Sequence, residues 1–92
     1  MTYASPVDDR AAKLATVTVR YWAAARAAAG VAEETRDAAT LADVVRQVSQ
    51  GRQELARVLG MCSFLVDSAR AEPDTPLAEG AVVDALPPFA GG

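Results

Sequence analysis

Ninety-two residues with a formal charge of −3 and an acidic pI near 4.7 make one small domain and argue against a general binder of nucleic acid or anionic membrane. Histidine is absent, which removes the commonest general base and metal ligand, and the single cysteine, Cys62, excludes an intrachain disulfide and suggests a reducing, cytoplasmic home. Apolar residues reach 51%, but much of that is alanine, so the core must come from a limited set of Leu, Val, Phe, Tyr, Trp and Met. No apolar run approaches a membrane span, and the N-terminus lacks a signal-peptide pattern.

Residues 1–14 mix Pro6, Asp8, Asp9, Arg10 and Lys13 with small residues and read as a disordered extension. Thr16–Trp22 alternates and is rich in β-branched and aromatic residues, which predicts a strand. Val17, Val19 and Tyr21 share one face of it, and Thr18, Arg20 and Trp22 the other. Ala23–Ala29 predicts a short helix capped by Gly30. The charged segment Glu33–Asp37 reads as an edge strand pairing back on the first, its charges guarding against mispairing.

Thr40 with Asp43 marks a helix start, and Leu41, Val44, Val45 and Val48 lay one apolar stripe along the main helix, which ends near Gly51. Gln53–Leu59 is a second helical segment stopping at Gly60. Ser63–Asp67 reads as a buried strand. A turn at Glu72–Pro76 and a corner at Leu77–Gly80 lead to a last strand, Ala81–Leu86, which Pro87 ends. First and last strands enclosing one major helix predict an α+β fold of the β-grasp, ubiquitin-like kind. It has a mixed sheet with the helix across one face, over residues 15–86, and an extended tail at 87–92.

Few side chains offer chemistry. Cys62 lies beside Met61 and Phe64 and reads as a buried hydrophobe, not a nucleophile. The carboxylates of Asp8/Asp9, Glu33/Glu34 and Asp74/Glu79 read as solvated charge, and Tyr21 and Trp22 as core or half-core aromatics. What remains is the ending, Leu86-Pro87-Pro88-Phe89-Ala90-Gly91-Gly92. Two prolines hold it extended, and two glycines strip the terminus to bare backbone and one carboxylate. Such a tail suits a narrow channel on another protein. A partner that converts the carboxylate to an acyl-adenylate would make it reactive toward a sulfur or amine nucleophile. The competing reading of the same residues is an inert, frayed end.

The segment Val19–Gly30 (VRYWAAARAAAG), the corner Leu77–Gly80 and the ending LPPFAGG together resemble the molybdopterin synthase small-subunit family, from about Thr16 to Gly92. Trp22, Ala23, Arg26 and Gly30 match that family's strand and the aromatic-Ala-x-x-Arg-Glu-x-x-Gly run after it; Ala27 replaces its usual Glu. Val66-Asp67 stands where that family commonly has a Val-Asn turn, and Ala81-Val82 replaces Asp-Glu after the corner glycine. The ending matches Pro-Pro-x-x-Gly-Gly at every defining position.

The resemblance implies a sulfur carrier that is not an enzyme alone and binds no cofactor itself. A ubiquitin-activating-type adenylating enzyme would use ATP and Mg to activate Gly92, and a sulfur donor protein would convert it to a thiocarboxylate. The tail would then enter the large synthase subunit and deliver sulfur to cyclic pyranopterin monophosphate, forming the dithiolene of molybdopterin. Pro87, Pro88, Phe89, Ala90 and Gly91 would line that channel, and an exposed sheet face would dock. The alternatives are a ubiquitin-like sulfur carrier for thiamine, cysteine or tRNA thiolation, a protein modifier joined to lysines, or a β-grasp interaction module with an inert tail.

Overall fold

The computed structural model describes residues 14–88; residues 1–13 of the proposed extension at 1–14, and the tail residues 89–92, lie outside the described residues. In chain order the elements are β1 (Ala15–Tyr21), α1 (Ala23–Ala29), β2 (Glu33–Ala38), α2 (Leu41–Ser49), α3 (Gln53–Leu59), β3 (Ser63–Val66), β4 (Ala69–Arg70) and β5 (Val82–Leu86). Among the described residues no helix is long and apolar enough to cross a membrane.

The strands form one sheet in the order β2-β1-β5-β3-β4. The first strand and the last lie parallel in its middle, with Val19 opposite Val83 and Tyr21 opposite Ala85. The other pairings are antiparallel: β1 with β2, β3 with β5, and β3 with β4. This is the β-grasp arrangement expected from the sequence.

Strict alternation in β1 sends Ala15, Val17, Val19 and Tyr21 to the helix side, where each is buried. Val83 and Ala85 continue that floor on β5, and Leu41, Val44 and Val48 of α2 close over it. The shorter α3 adds Leu55, Val58 and Leu59, so two helices rather than one supply the large side chains of the lid. Among the α1 residues only Ala25 is buried, and Ala28 and Ala29 are partly buried against the core.

Local chemistry fixes the ends of these elements. Thr40 and Asp43 form a reciprocal capping box: the Thr40 hydroxyl accepts from the Asp43 N–H, and the Asp43 carboxylate accepts from the Thr40 N–H. Gly30 closes α1 with φ +80°, a conformation that costs an L-residue with a Cβ about 1–2 kcal/mol. The corner before β5 is stitched to the start of β1, since Gly80 donates to the Thr16 carbonyl and the Glu79 carboxylate accepts from the Thr16 N–H at 2.9 Å.

Sequence reading missed β4. It is only two residues long and is created by a tight hairpin turn whose central residues, Asp67 and Ser68, both have positive φ (49° and 72°). Neither is glycine, the residue that usually signals such a turn. Ser68→Gly is therefore expected to raise stability by about 0.5–1 kcal/mol, measurable as a shifted urea midpoint with an unchanged slope.

Candidate functional site: the root of the C-terminal tail

The tail springs from β5, which has β1 on one side and β3 on the other. A central strand is the least compliant place in the sheet, so the segment that follows starts from a fixed point. Pro87 is buried and Pro88 is exposed, so the chain passes from packed structure to solvent between the two prolines. Their fixed φ and missing N–H groups stop the sheet ladder there. Of the tail residues expected to act, the structure places Pro87 and Pro88; Phe89, Ala90, Gly91 and Gly92 lie outside the described residues.

Around that root the outer sheet face carries a polar cluster that sequence reading did not assemble. Asp84, in the middle of β5, is only 5% exposed. Its carboxylate accepts from Arg20 Nε at 2.7 Å, Arg20 Nη2 at 3.2 Å and the indole N–H of Trp22 at 2.9 Å. The Arg20 guanidinium also sits over the Trp22 ring, 5.5 Å from its centroid. Trp22 itself is 43% exposed, so it is neither a core nor a buried half-core aromatic. The alternation of β1 did place Arg20 and Trp22 on one face. The missing piece was the parallel register that sets Asp84 opposite Arg20, which local sequence does not encode.

Charge–charge contacts hold this carboxylate ionised. The Arg20 hydrogen bonds pull Asp84 below the usual carboxylate range against the opposing effect of burial, and the Trp22 N–H adds to the pull. Arg46 does the same for Asp43, and Arg57 for Glu54. A carboxyl group with a depressed folded pKa binds fewer protons folded than unfolded, so its stabilisation is present at neutral pH and is lost as pH falls. The unfolding midpoint is expected to hold near neutrality and to drop below about pH 4–5. Asp84→Asn should be less stable at neutral pH and show a flatter acid limb, as thermal scans across that range would record.

Two expectations from sequence are corrected here. Glu34 is not solvated: its side chain is 10% exposed and is ion-paired to both Arg36 and Arg52, the latter at 2.6 Å. It faces the helix side of β2 and ties that edge strand to the segment between α2 and α3. The β3 segment is half-buried rather than fully covered, because Leu65 points to the open face of the sheet while Phe64 and Val66 face the helices.

Cys62 has no activating neighbour. It is half-buried, its thiol donates to the Val58 carbonyl at 3.3 Å, and burial pushes its pKa up to about 11. The Cys62 thiol is expected to alkylate slowly at neutral pH in the folded chain and rapidly once the chain is unfolded, as a timed thiol-alkylation assay would record. Among the described residues no group of His, Cys, Asp and Glu side chains comes together as metal ligands. Two open grooves flank α1, of about 510 and 360 Å³; the charged groups on them are Arg26 in the larger and the Glu54–Arg57 ion pair in the smaller, with no acid–base or nucleophilic pair. Among the described residues the arrangement presents a rigid tail root beside an aromatic–cation contact.

Comparison with known proteins agrees with this geometry. Residues 19–92 match the ThiS family. No curated protein matches the chain. Among solved structures, small archaeal modifier protein 1 from Methanosarcina acetivorans superposes with a TM-score of 0.77 at 23% identity, covering 86% of this chain and 98% of that one. The protein of the same name from Haloferax volcanii gives 0.72 at 22% identity, covering 84% and 99%. Subunit 1 or 2 in the complex of both subunits of the molybdopterin-converting factor from Helicobacter pylori gives 0.66 at 27% identity, covering 84% and 99%.

Proposed function

Because the chain belongs to the ThiS family of ubiquitin-like sulfur carriers, we propose that it carries sulfur as a thiocarboxylate on Gly92 and donates it within a molybdopterin synthase. The observation that carries this reading is the Pro-Pro-x-x-Gly-Gly ending, launched from a strand that both neighbours clamp. Likeness to a protein of the Helicobacter pylori two-subunit complex supports a partner subunit that receives the tail.

The chemistry follows from the carboxylate. Resonance and negative charge make it a poor electrophile, so an adenylating partner joins it to AMP from ATP, with Mg, releasing pyrophosphate. The resulting mixed anhydride has a good leaving group. The terminal sulfur of a persulfide on the donor protein attacks the acyl carbon, and AMP leaves. A thiol reductant then cleaves the resulting acyl disulfide at its S–S bond, leaving a thiocarboxylate on the carrier and a disulfide between donor and reductant. The thiocarboxylate sulfur is then the nucleophile toward cyclic pyranopterin monophosphate in the large subunit. Glycines at the last two positions let the partner's walls close on the backbone, since any Cβ would obstruct that approach. The folded body supplies position, not catalysis, which is consistent with its lack of an activated side chain.

Reconstitution decides the pathway. The chain, its adenylating enzyme, ATP, a sulfur donor, a thiol reductant and a large synthase subunit are expected to convert cyclic pyranopterin monophosphate to molybdopterin. Failure there, together with thiolation of a thiamine, cysteine or tRNA precursor, would move the assignment to another sulfur pathway. Isopeptide-linked adducts on protein lysines would make the chain a modifier.

A further inference from the structure

We propose that in the free chain the C-terminal tail folds back on its own domain, with Phe89 seated in the apolar groove between α1 and α3. The terminus is then parked until a partner draws it out. A parked tail is a property of the free chain, so it holds or fails independently of the carrier reading.

The groove opens at the root of the tail. Leu86 stands opposite Ser63, so continuing that register brings Cys62 and Met61 alongside Pro87 and Pro88. On the other flank of β5, Tyr21 stands opposite Ala85, which brings Trp22 and the first residue of α1 alongside Leu86 and Pro87. The chain therefore leaves the sheet between the start of α1 and the segment joining α3 to β3. Here α1 packs against both α3 and β5. Ala24 and Met61, from the two sides of this exit, both line the groove, which has a volume of about 360 Å³.

Alternation decides which way the tail turns. Val83 and Ala85 are buried on the helix side of β5; Pro87 continues that alternation and is buried, while Pro88 is exposed. One step further the alternation returns to the helix side. That position is Phe89, the one large apolar residue among the last four. Four residues beyond Pro88 span at most about 14 Å, so the surface within reach is the one beside the root.

The lining suits a phenyl ring. Val58 is buried beneath the groove, Ala24 and Ala27 are small enough to leave it open, and Met61 is 50% exposed at its mouth. A thioether against an aromatic ring is a favourable contact. The charges on the groove are Glu54 and Arg57, paired with each other, so it does not repel the terminal carboxylate. Arg57 spends Nε and Nη2 on Glu54, and among the described residues its Nη1 donates to nothing. Ala27 is also the position at which the resembling family usually carries Glu, a charge that would here oppose the carboxylate. Parking leaves a fraction of free chains competent to engage a partner, and the apparent affinity falls by that fraction.

The test is NMR of the full-length chain, with a chain ending at Pro88 as reference. NOEs are expected from the Phe89 ring to the methyl groups of Met61, Ala24 and Ala27, and truncation should shift those methyl signals while leaving the sheet signals in place. Phe89→Ala keeps the chain length and should reproduce the same methyl shifts. Ala27→Glu should abolish the NOEs with the domain still folded by thermal scan. Methyl signals unchanged in both the truncated chain and Phe89→Ala, with no NOE from Phe89, would overturn the inference. So would NOEs that run between labelled and unlabelled copies in a mixed sample, which would make a second chain the occupant. The sulfur-transfer assay reads the carrier role separately from either result.

Discussion

Deleting Gly92 is expected to abolish sulfur transfer completely while leaving the folded domain as stable as before. In the proposed mechanism the reacting atom sits on the terminal carbon, so its position relative to the partner's nucleotide is set by chain length. Removing one residue draws the carboxylate back by about 3.5 Å. Misplacement of only about 1 Å can cost about a hundredfold in rate, so a full residue should bring transfer to background. Appending an alanine after Gly92 moves the carboxylate the other way and adds a Cβ where the channel closes, and it should be equally inactive. Among the described residues the last element is β5, followed by Pro87, and changing one residue beyond it is expected to alter the unfolding free energy by less than about 0.5 kcal/mol in both variants. Denaturant unfolding beside a transfer assay reads the two outcomes separately. An active Gly92 deletion would return the tail to the status of an inert end.

Leu55→Ala is expected to do the reverse. Leu55 is fully buried and is the largest such side chain in the core. It lies on α3, whose seven residues form too short a helix to persist without packing. The truncation should cost about 2–5 kcal/mol from lost burial and the cavity left behind. A domain of this size holds roughly 5–14 kcal/mol in total, so the loss is a large share of it. The thermal midpoint should fall by roughly 10–30 °C. Where the variant is still folded, at low temperature, its Gly92 should accept and donate sulfur at the wild-type rate, because no group near the tail has changed. A midpoint within about 2 °C of wild type would show that α3 is not integral to the core.

Much of the fold was legible because the alternation of β1 and the stripe of Leu41, Val44 and Val48 are strong periodic signals that the burial pattern repeats. The capping pair Thr40 and Asp43 was equally clear, and the Gln53–Leu59 helix has the bounds expected for it. What escaped depends on contacts distant in sequence. Asp84 reads as one polar residue inside an apolar strand until the β1–β5 register sets it opposite Arg20. Glu34 reads as an edge charge until Arg36 and Arg52 close on it, the latter from a segment beyond α2. The resemblance placed a turn at Val66-Asp67, but the strand β4 beyond it was not read, because Asp67 and Ser68 adopt positive φ without a glycine to announce a hairpin. For the site the asymmetry runs the other way. The tail stood out by its composition, which left open whether it acts or is an inert end, whereas the contact at its root needed the three-dimensional pairing of strands far apart in the chain.

The central claim is that Gly92 is the atom-bearing residue, and intact mass of the full-length chain tests it most directly. After incubation with the adenylating enzyme, ATP, Mg, a sulfur donor and a thiol reductant, the mass is expected to rise by the difference between sulfur and oxygen, with fragmentation placing the gain on the last residue. Cys62→Ala should show the same gain. An unchanged mass with a partner proven active on its own carrier, or a gain that maps to Cys62, would contradict the account.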